Sequence, residues 1–354
     1  MVGKPFLYRV VLKRHRAFIG QFPITVIAST AVYFVLDLPK TSDSHWLEKL
    51  KQIDFLGAFS LVTAVFALLF GFDRGSNIAW SDKITIVACC ISIPLFAFFI
   101  FIEMRVASHP FAPGHIIFDR SLFASYLSNF FALSAQMGSI FYIPLYFQAV
   151  DGLSATASGL RLIPIMICSV TGSLFGGQVM QRTGKYYWLT IACFISSIFG
   201  SIIIFLCSGL VISSSWGIII GLGFCAFGGG AAITTTLINV IANADPKDQA
   251  IATACTYLFR SLGSVIGVSL SSTVVQQALR TQLRDRLKSG KEVDKIVEGV
   301  RKSLDYIKEL EPGVREVVSG CYRRATNASF GMSIGITTLA LVSSWFIREK
   351  KLSR

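Results

Sequence analysis

The residues of this sequence that could do chemistry are few, and nearly all of them lie at the edges of long apolar runs. Arg260 is the only ionisable residue well inside such a run. A charge at membrane depth is costly, so Arg260 marks either a cavity or gating group, or a packing ion pair or a snorkelling side chain. Carboxylates stand at the run ends, where we expect water or lipid headgroups to reach them: Asp37, Asp54, Asp73 and Glu103.

Residue patterns typical of catalysis are missing from the sequence. None of the four histidines pairs with Asp or Glu at a metal-ligand spacing, and no nucleophile elbow, P-loop or dinucleotide fingerprint is present. The eight cysteines include no C-x-x-C pair, which argues against a zinc site or a disulfide framework. We therefore expect no enzyme activity, no cofactor and no metal.

Uncharged polar residues inside the runs are candidates for a substrate cavity. Each of them could instead be an interhelical hydrogen bond, which is the more common use of such residues. With Arg260, the candidates are Asn129, Gln136, Tyr142, Tyr146 and Asn239.

The runs themselves predict an all-α membrane protein. The chain has 354 residues, of which 53% are apolar and only 15% charged, with a mean hydropathy of +0.61. Soluble domains carry about 25% charged residues, and about 20 apolar residues cross a bilayer. Nine transmembrane helices are predicted at 17–36, 55–72, 84–102, 121–147, 162–181, 187–207, 217–242, 249–274 and 325–347.

The distribution of Lys and Arg predicts the orientation of these helices. Twelve Lys and Arg residues lie in the short loops and the tail on the side of the C-terminus. In the short loops on the opposite side there are only Arg74 and Lys83. The positive-inside rule therefore places the C-terminus in the cytoplasm. Nine spans then place the basic leader at 1–16 outside, which conflicts with the same rule. Either upstream helices are missing, or the first span inserts the other way round and one span elsewhere is lost.

The remaining basic residues do not predict a nucleic-acid partner, although the net charge is +13. Basic and acidic residues concentrate in the polar segment 276–324, which the span count makes a non-cytoplasmic loop. Within it, apolar residues recur at helical spacing and predict a helix lying against the membrane surface or the bundle. The sequon at Asn327 abuts the last span, and we interpret it as a chance match.

Glycines at four-residue spacing predict close helix packing in the bilayer. Two such pairs are Gly172 with Gly176 and Gly263 with Gly267. They indicate a tightly packed bundle and carry no information about substrate.

The stretch GQVMQRTGK at 177–185 resembles the loop signature of the major facilitator family. The matching positions are Gly177, Gln181, Arg182, Gly184 and Lys185. The resemblance implies a tight turn whose basic residues dock on a neighbouring helix end and latch two bundles together. Gln181 stands where the family signature has an acid, so one partner of that latch is lost here.

Three further stretches resemble the fungal 14-span branch of drug:proton antiporters, and within it the vacuolar basic amino acid transporter group. They are RAFIGQFP at 16–23, SGLRLIP at 158–164 and LFRSLGSVIG at 258–267. The resemblance implies that the chain matches spans six to fourteen and lacks the first five. The implied segments are a leader at 1–16, the last helix of an incomplete N-terminal bundle at 17–38, a linker with two extra helices at 39–120, and a C-terminal six-helix bundle at 121–354.

The function implied by this resemblance is proton-coupled antiport of basic amino acids or small organic cations and drugs by alternating access. The implied partners are the small-molecule substrate, protons and the lipid bilayer, and the vacuolar membrane is favoured over the plasma membrane. The carboxylates usually tied to proton coupling would lie in the missing spans. The alternative is a non-transporting paralogue that associates with or regulates a complete transporter.

The charge asymmetry generates a topology prediction. A reporter fused after Arg354 is expected in the cytoplasm, and one inserted between Lys288 and Pro312 on the opposite side of the membrane, because short-loop Lys and Arg stay inside. Protease protection or compartment-specific fluorescence reads both positions. A cytoplasmic signal from the second reporter would contradict the nine-span topology.

Overall fold

The computed structural model describes residues 22–23, 25–34, 54–78, 80–106, 114–209, 212–286, 299 and 311–350. These residues are almost entirely helical, with one isolated β-bridge between Ser208 and Ser213. In chain order the helices are α1 (Thr25–Phe34), α2 (Phe55–Asn77), α3 (Lys83–Arg105), α4 (Gly114–Ile117), α5 (Arg120–Ala149), α6 (Ala155–Leu160), α7 (Ile163–Thr183), α8 (Tyr187–Cys207), α9 (Ser215–Asn243), α10 (Gln249–Arg286) and α11 (Pro312–Ser344).

Eight helical segments are long and apolar enough to cross a membrane: α2, α3, α5, α6 continued by α7, α8, α9, α10 and α11. They coincide with eight of the nine predicted spans. The remaining predicted span, 17–36, is described only in part, as the short apolar helix α1. The predicted leader 1–16 lies outside the described residues. Residues 1–53 form a separate unit, so α1 is described by itself.

The last two helices extend well beyond their predicted spans. α10 continues to Arg286 and α11 begins at Pro312, so the described parts of the segment 276–324 are helical. The side of the membrane predicted for this segment stays a prediction, whereas the helical extensions are new: apolar residues recur among the charges and stay buried where α10 and α11 pack together. Examples are Leu283 and Val318, both 0% exposed. The predicted surface helix between these ends is almost wholly outside the described residues.

The helices from α5 to α11 form a six-helix bundle, with α6 and α7 counted as one spanning segment. Its central helix is α5, which packs against α9, α10 and α11. Helix α9 also packs against α7 and α8. α2 and α3 pack against each other, and α2 contacts α10. The short connections between the helices from α5 to α10 make successive long helices there antiparallel. We call the end where α5 begins and Lys350 lies the proximal end, and the end where α5 finishes the distal end.

Glycine allows the closest helix contacts in this bundle. A Cβ added at Gly263 or Gly267 on α10 would overlap the backbone carbonyl of Phe130 or Ser134 on α5. A Cβ on Gly172 would overlap the carbonyl of Phe227, and one on Gly176 would lie 3.3 Å from Ala231. The four glycines predicted to mediate packing therefore lie at helix contacts.

The pair α2 and α3 buries a carboxylate that the sequence placed within reach of water. Glu103 is only 7% exposed, and its Oε1 lies 3.3 Å from where a Cβ on Gly57 would stand. Asp54, which caps α2 by accepting a hydrogen bond from the Gly57 amide at 2.8 Å, lies against the same position. The expectation of an exposed carboxylate is wrong for Glu103, because the turn at Asp54 covers the last turn of α3.

At the other end of this pair, a salt bridge joins the two helices. The Arg74 Nε donates to Asp82 Oδ2 at 2.8 Å, and this hydrogen bond holds the pKa of the Asp82 carboxyl below its ordinary value.

The glycine contacts generate a matched stability prediction. Gly267→Ala is expected to lower the thermal unfolding midpoint of the purified protein by a few degrees, since overpacking costs about 1–3 kcal/mol. Gly335→Ala is the control, because Gly335 lies in a helix interior with open space around it. There Ala should be neutral or slightly stabilising through its higher helix propensity. Equal effects of the two substitutions would contradict the packing role of Gly267.

Candidate functional site

A small cavity lies inside the six-helix bundle between α5, α7, α8, α9 and α11. Its volume is about 40 Å³, which is room for a few water molecules. Apolar side chains form most of the wall. Its polar lining consists of Asn129, Gln136, Ser139, Ser197, Ser201 and Thr337.

Asn129 and Gln136 are the two predicted cavity residues that line this cavity. Asn129 is 2% exposed; its Nδ2 donates to the Ser125 carbonyl at 2.8 Å, and its Oδ1 accepts from Thr236 on α9 at 3.3 Å. The amide of Gln136 faces Gly229, with Nε2 3.3 Å from the position of a Cβ there. The amide of Gln136 is therefore available to a ligand, whereas the amide of Asn129 is used in hydrogen bonds within α5 and between α5 and α9.

The other predicted cavity residues lie elsewhere in the bundle. Tyr142 and Tyr146 are buried in the distal part of the core, among apolar side chains of the bundle. Asn239 is fully buried on α9 and donates to the Ser125 hydroxyl. None of these three lines the central cavity.

Arg260 is half-buried on α10 and does not line the cavity. Its guanidinium carbon lies 5.2 Å from the centre of the Tyr257 ring, so an aromatic face balances part of the charge. Because Tyr257 is on the same helix, this contact leaves both sequence interpretations of Arg260 as predictions.

Sequence reasoning missed the polar pair Ser197 and Ser201 on α8. Ser201 contacts Cys225 Sγ at 3.4 Å, and the Cys225 thiol reaches the Ser197 carbonyl at 3.3 Å. Their four-residue spacing in an otherwise apolar span could have identified them, because small polar residues at this spacing share one helix face.

A polar cluster closes the proximal end of the bundle. We call it the proximal latch: Tyr186, Asn243 and the segment Arg348 to Lys350. The Tyr186 hydroxyl donates to the Arg348 carbonyl at 3.1 Å, and accepts from the Lys350 amide at 2.8 Å and from Asn243 Nδ2 at 3.1 Å. The Tyr186 amide donates to Glu349 Oε1 at 3.1 Å. Burial raises the pKa of Tyr186, which keeps the hydroxyl protonated as a donor.

The loop signature lies directly beside this latch. Gly184 ends α7 in the left-handed conformation, at φ 67°, and its amide donates to the Met180 carbonyl at 2.8 Å. The side chains of Gln181, Arg182 and Lys185 are exposed, and in the described part of the chain none of them contacts an acidic group. Gly177 has open space around it. The tight turn is present, and the contact of its basic residues with a second bundle stays a prediction.

Side-chain positions also bear on glycosylation at Asn327 and on metal binding. Asn327 donates from Nδ2 to the Phe205 carbonyl at 2.7 Å and to Ser208 Oγ at 2.6 Å, so its amide is engaged in helix packing rather than free for glycosylation. Among the residues the structure describes, no group of three or more His, Cys, Asp or Glu side chains could hold a metal ion.

A sequence profile of the Major Facilitator Superfamily matches residues 15–268. The vacuolar membrane amino acid uptake transporter fnx2 of Schizosaccharomyces pombe is 34% identical, over 95% of this chain and 58% of its own length. The multidrug resistance protein fnx1 of the same yeast is 29% identical, over 93% and 62%. The chain therefore spans about three fifths of the length of these two relatives.

Two further comparisons concern a more distant relative and the fold. The vacuolar basic amino acid transporter 2 of Saccharomyces cerevisiae is 27% identical, over 92% of this chain and 71% of its own length. A solved structure of a bacterial homologue of the human lysosomal transporter Spinster, inward-facing and occupied, matches with a TM-score of 0.52 at 13% identity. It covers 84% of this chain and 65% of that chain, and at this identity it bears on the fold alone.

The proximal latch generates a stability prediction. Tyr186→Phe is expected to destabilise the folded protein by about 1 kcal/mol, because the half-buried hydrogen bonds from Asn243 Nδ2 and the Lys350 amide lose the Tyr186 hydroxyl as an acceptor. Tyr187→Phe is the matched control, since the Tyr187 hydroxyl is exposed and its contact with the Trp345 carbonyl is long, at 3.5 Å. Thermal unfolding in detergent measures both. A Tyr186→Phe protein as stable as wild type would mean that the latch hydroxyl contributes nothing to stability.

Proposed function

The chain belongs to the Major Facilitator Superfamily, and we propose that it forms part of a transporter that moves amino acids across the vacuolar membrane by alternating access. The six-helix bundle at 121–354 would be one of the two bundles that rock around a central site. Helices 39–120 would be the extra pair between the halves, and 17–38 the last helix of the other bundle.

The observation that carries the proposal is the cavity inside the bundle, whose largely apolar wall carries a few polar groups. Gln136 on α5 and Gly229 on α9 both line it. At about 40 Å³ it cannot hold an amino acid as it stands. Helices in contact through backbone can slide or separate without rebuilding a layer of large side chains, so the cavity can enlarge when the bundles move.

The substrate class rests on the relatives. The names of two of them state amino acid transport at the vacuole, and one of these specifies basic amino acids. We propose basic amino acids as substrates, with proton-coupled antiport and a cytoplasmic C-terminus. The exposed basic residues of the loop signature, Arg182 and Lys185, would contact the second bundle.

A second candidate function is export of small organic cations or drugs. Two observations favour it: the identity of 29% to a multidrug resistance protein, and the largely apolar wall of the central cavity. Apolar walls with few polar groups suit drug-sized ligands.

The proposal is tested with a chimera in which this chain replaces the matched segment of fnx2. In vacuolar vesicles from cells lacking their own basic amino acid transporters, the chimera is expected to take up lysine, arginine and histidine. Uptake should depend on the pH gradient and stop with a protonophore. The chain alone is expected at background, because its described part supplies one bundle.

Substitution of Gln136 in the chimera tests whether the cavity takes part in uptake. Gln136→Leu in the chimera is expected to lower uptake about tenfold, because a ligand loses its polar partner in a low-dielectric site. Gln148→Leu is the control on the same helix, since Gln148 Nε2 donates to the Pro144 carbonyl one turn away, at 3.1 Å, and Gln148 does not line the cavity. Equal uptake by both variants would contradict the role of the cavity. A chimera that exports a cationic dye and takes up no amino acid would favour the second candidate.

A further inference from the structure

The distal end of the bundle carries a second and much larger cavity. Its volume is about 500 Å³, and it lies between the end of α5, the α8–α9 turn and the first turns of α11. The polar residues on its wall are Asp151, Ser213, Arg315, Glu316, Ser319 and Arg323. A space of this volume accommodates a small polar molecule as large as an amino acid.

Asp151 in this cavity already has its charge balanced. Its Oδ2 accepts a hydrogen bond from Arg161 Nη1 at 3.3 Å and another from the Ser215 hydroxyl. Arg315 and Arg323 differ, because neither forms a salt bridge with any carboxylate that the structure describes. The cavity therefore offers two guanidinium groups and one further carboxylate, Glu316, to a ligand.

Two glycines with positive φ lie beside these arginines. Gly209, at φ 107°, lies over the Arg323 side chain, whose Nε is 3.2 Å from where a Cβ would stand. Gly152, at φ 67°, faces Arg315, with Nη2 3.7 Å from the same kind of position. Positive φ favours glycine at both positions. At Gly209 a side chain would also overlap the Arg323 side chain, so the glycine leaves room for that arginine beside the cavity.

Resting on the proposed function, we propose that the distal cavity is an amino-acid recognition site. Arg323 binds the α-carboxylate, because a guanidinium presents paired donors that match the two oxygens of a carboxylate. Glu316 supplies a negative charge for the ammonium groups, and Arg315 stands at the exposed mouth and attracts the carboxylate. A basic amino acid satisfies both kinds of group, whereas a diamine without a carboxylate does not.

The test is a binding measurement on the purified full chain in nanodiscs of zwitterionic lipid. Saturable binding of tritiated L-lysine is expected, and cadaverine, the same molecule without the carboxylate, should compete at least about tenfold more weakly. Arg323→Gln should weaken lysine binding about tenfold or more, because hydrogen bonds to charged groups are the strong ones. Arg323→Lys should retain part of the affinity. Cadaverine binding should be unchanged in all variants.

Two further variants keep the result interpretable. Arg324→Gln is the matched control, since Arg324 is the exposed neighbour on α11 and lies outside the cavity. Arg315→Gln is a second test at an exposed position that should not affect folding. Lysine affinity that is unchanged in both Arg323→Gln and Arg315→Gln would overturn the proposal.

The remaining outcomes distinguish an amino-acid site from a lipid-headgroup site, and the site from the transport proposal. No lysine binding by wild type would overturn the site, and a loss of anionic-lipid stabilisation in Arg323→Gln would then assign the guanidinium groups to a lipid headgroup. Uptake by the fnx2 chimera that survives Arg323→Gln with unchanged affinity would remove this site and leave the transport proposal standing. Lysine binding without uptake in the chimera would contradict the transport proposal and support the site.

Discussion

Backbone contact between helices is the constraint on which the rest of this structure depends. Inside a bilayer there is little hydrophobic gain in bringing helices together, so packing and interhelical hydrogen bonds have to hold the bundle. Gly263 and Gly267 allow α10 to contact backbone carbonyls of α5, and Gly172 allows α7 to contact the backbone of α9. Once these distances are set, short polar side chains such as Ser134, which donates to the Gly263 carbonyl at 2.8 Å, can bridge the helices. The same closeness limits the central cavity to a few waters.

The two ends of the bundle are finished by different chemistry. At the proximal end, the Tyr186 hydroxyl bonds to the backbone of Arg348 and Lys350, and Glu349 accepts a hydrogen bond from the Tyr186 amide. At the distal end, Arg315 and Arg323 line a cavity of about 500 Å³ and form no salt bridge with a carboxylate that the structure describes. Hydrogen bonds to backbone therefore close the proximal end, whereas the distal end presents guanidinium groups to a cavity.

Much of the fold could be predicted from the sequence because bilayer thickness fixes how long an uncharged run must be. Eight of the predicted spans correspond to described helices, and the packing glycines lie at contacts. The ends of α10 and α11 could not be predicted in this way. There Leu283 and Val318 alternate with charges, and only the neighbouring helix reveals that they are buried. Glu103 was misjudged for the same reason, since its burial comes from a turn distant in sequence.

The candidate site was predictable to a smaller extent. A polar residue in an apolar run either lines a cavity or forms an interhelical hydrogen bond, and the sequence alone does not distinguish the two. Asn129 and Gln136 reach the cavity, while Tyr142 and Tyr146 are buried within the core and Asn239 bonds to a neighbour there. In the sequence the distal arginines belong to a polar loop, because the cavity wall that they share with Asp151 depends on the helical extension of α11.

The extension of α10 also has a mechanical consequence. At 1.5 Å per residue its 38 residues make a rod of about 57 Å, well beyond the roughly 30 Å of a hydrocarbon core. A rigid rod of that length amplifies rotation: a tilt of about 5° at one end displaces the other by about 5 Å. A spectroscopic label near Arg286 would therefore register small rearrangements of the glycine contacts as displacements several times larger.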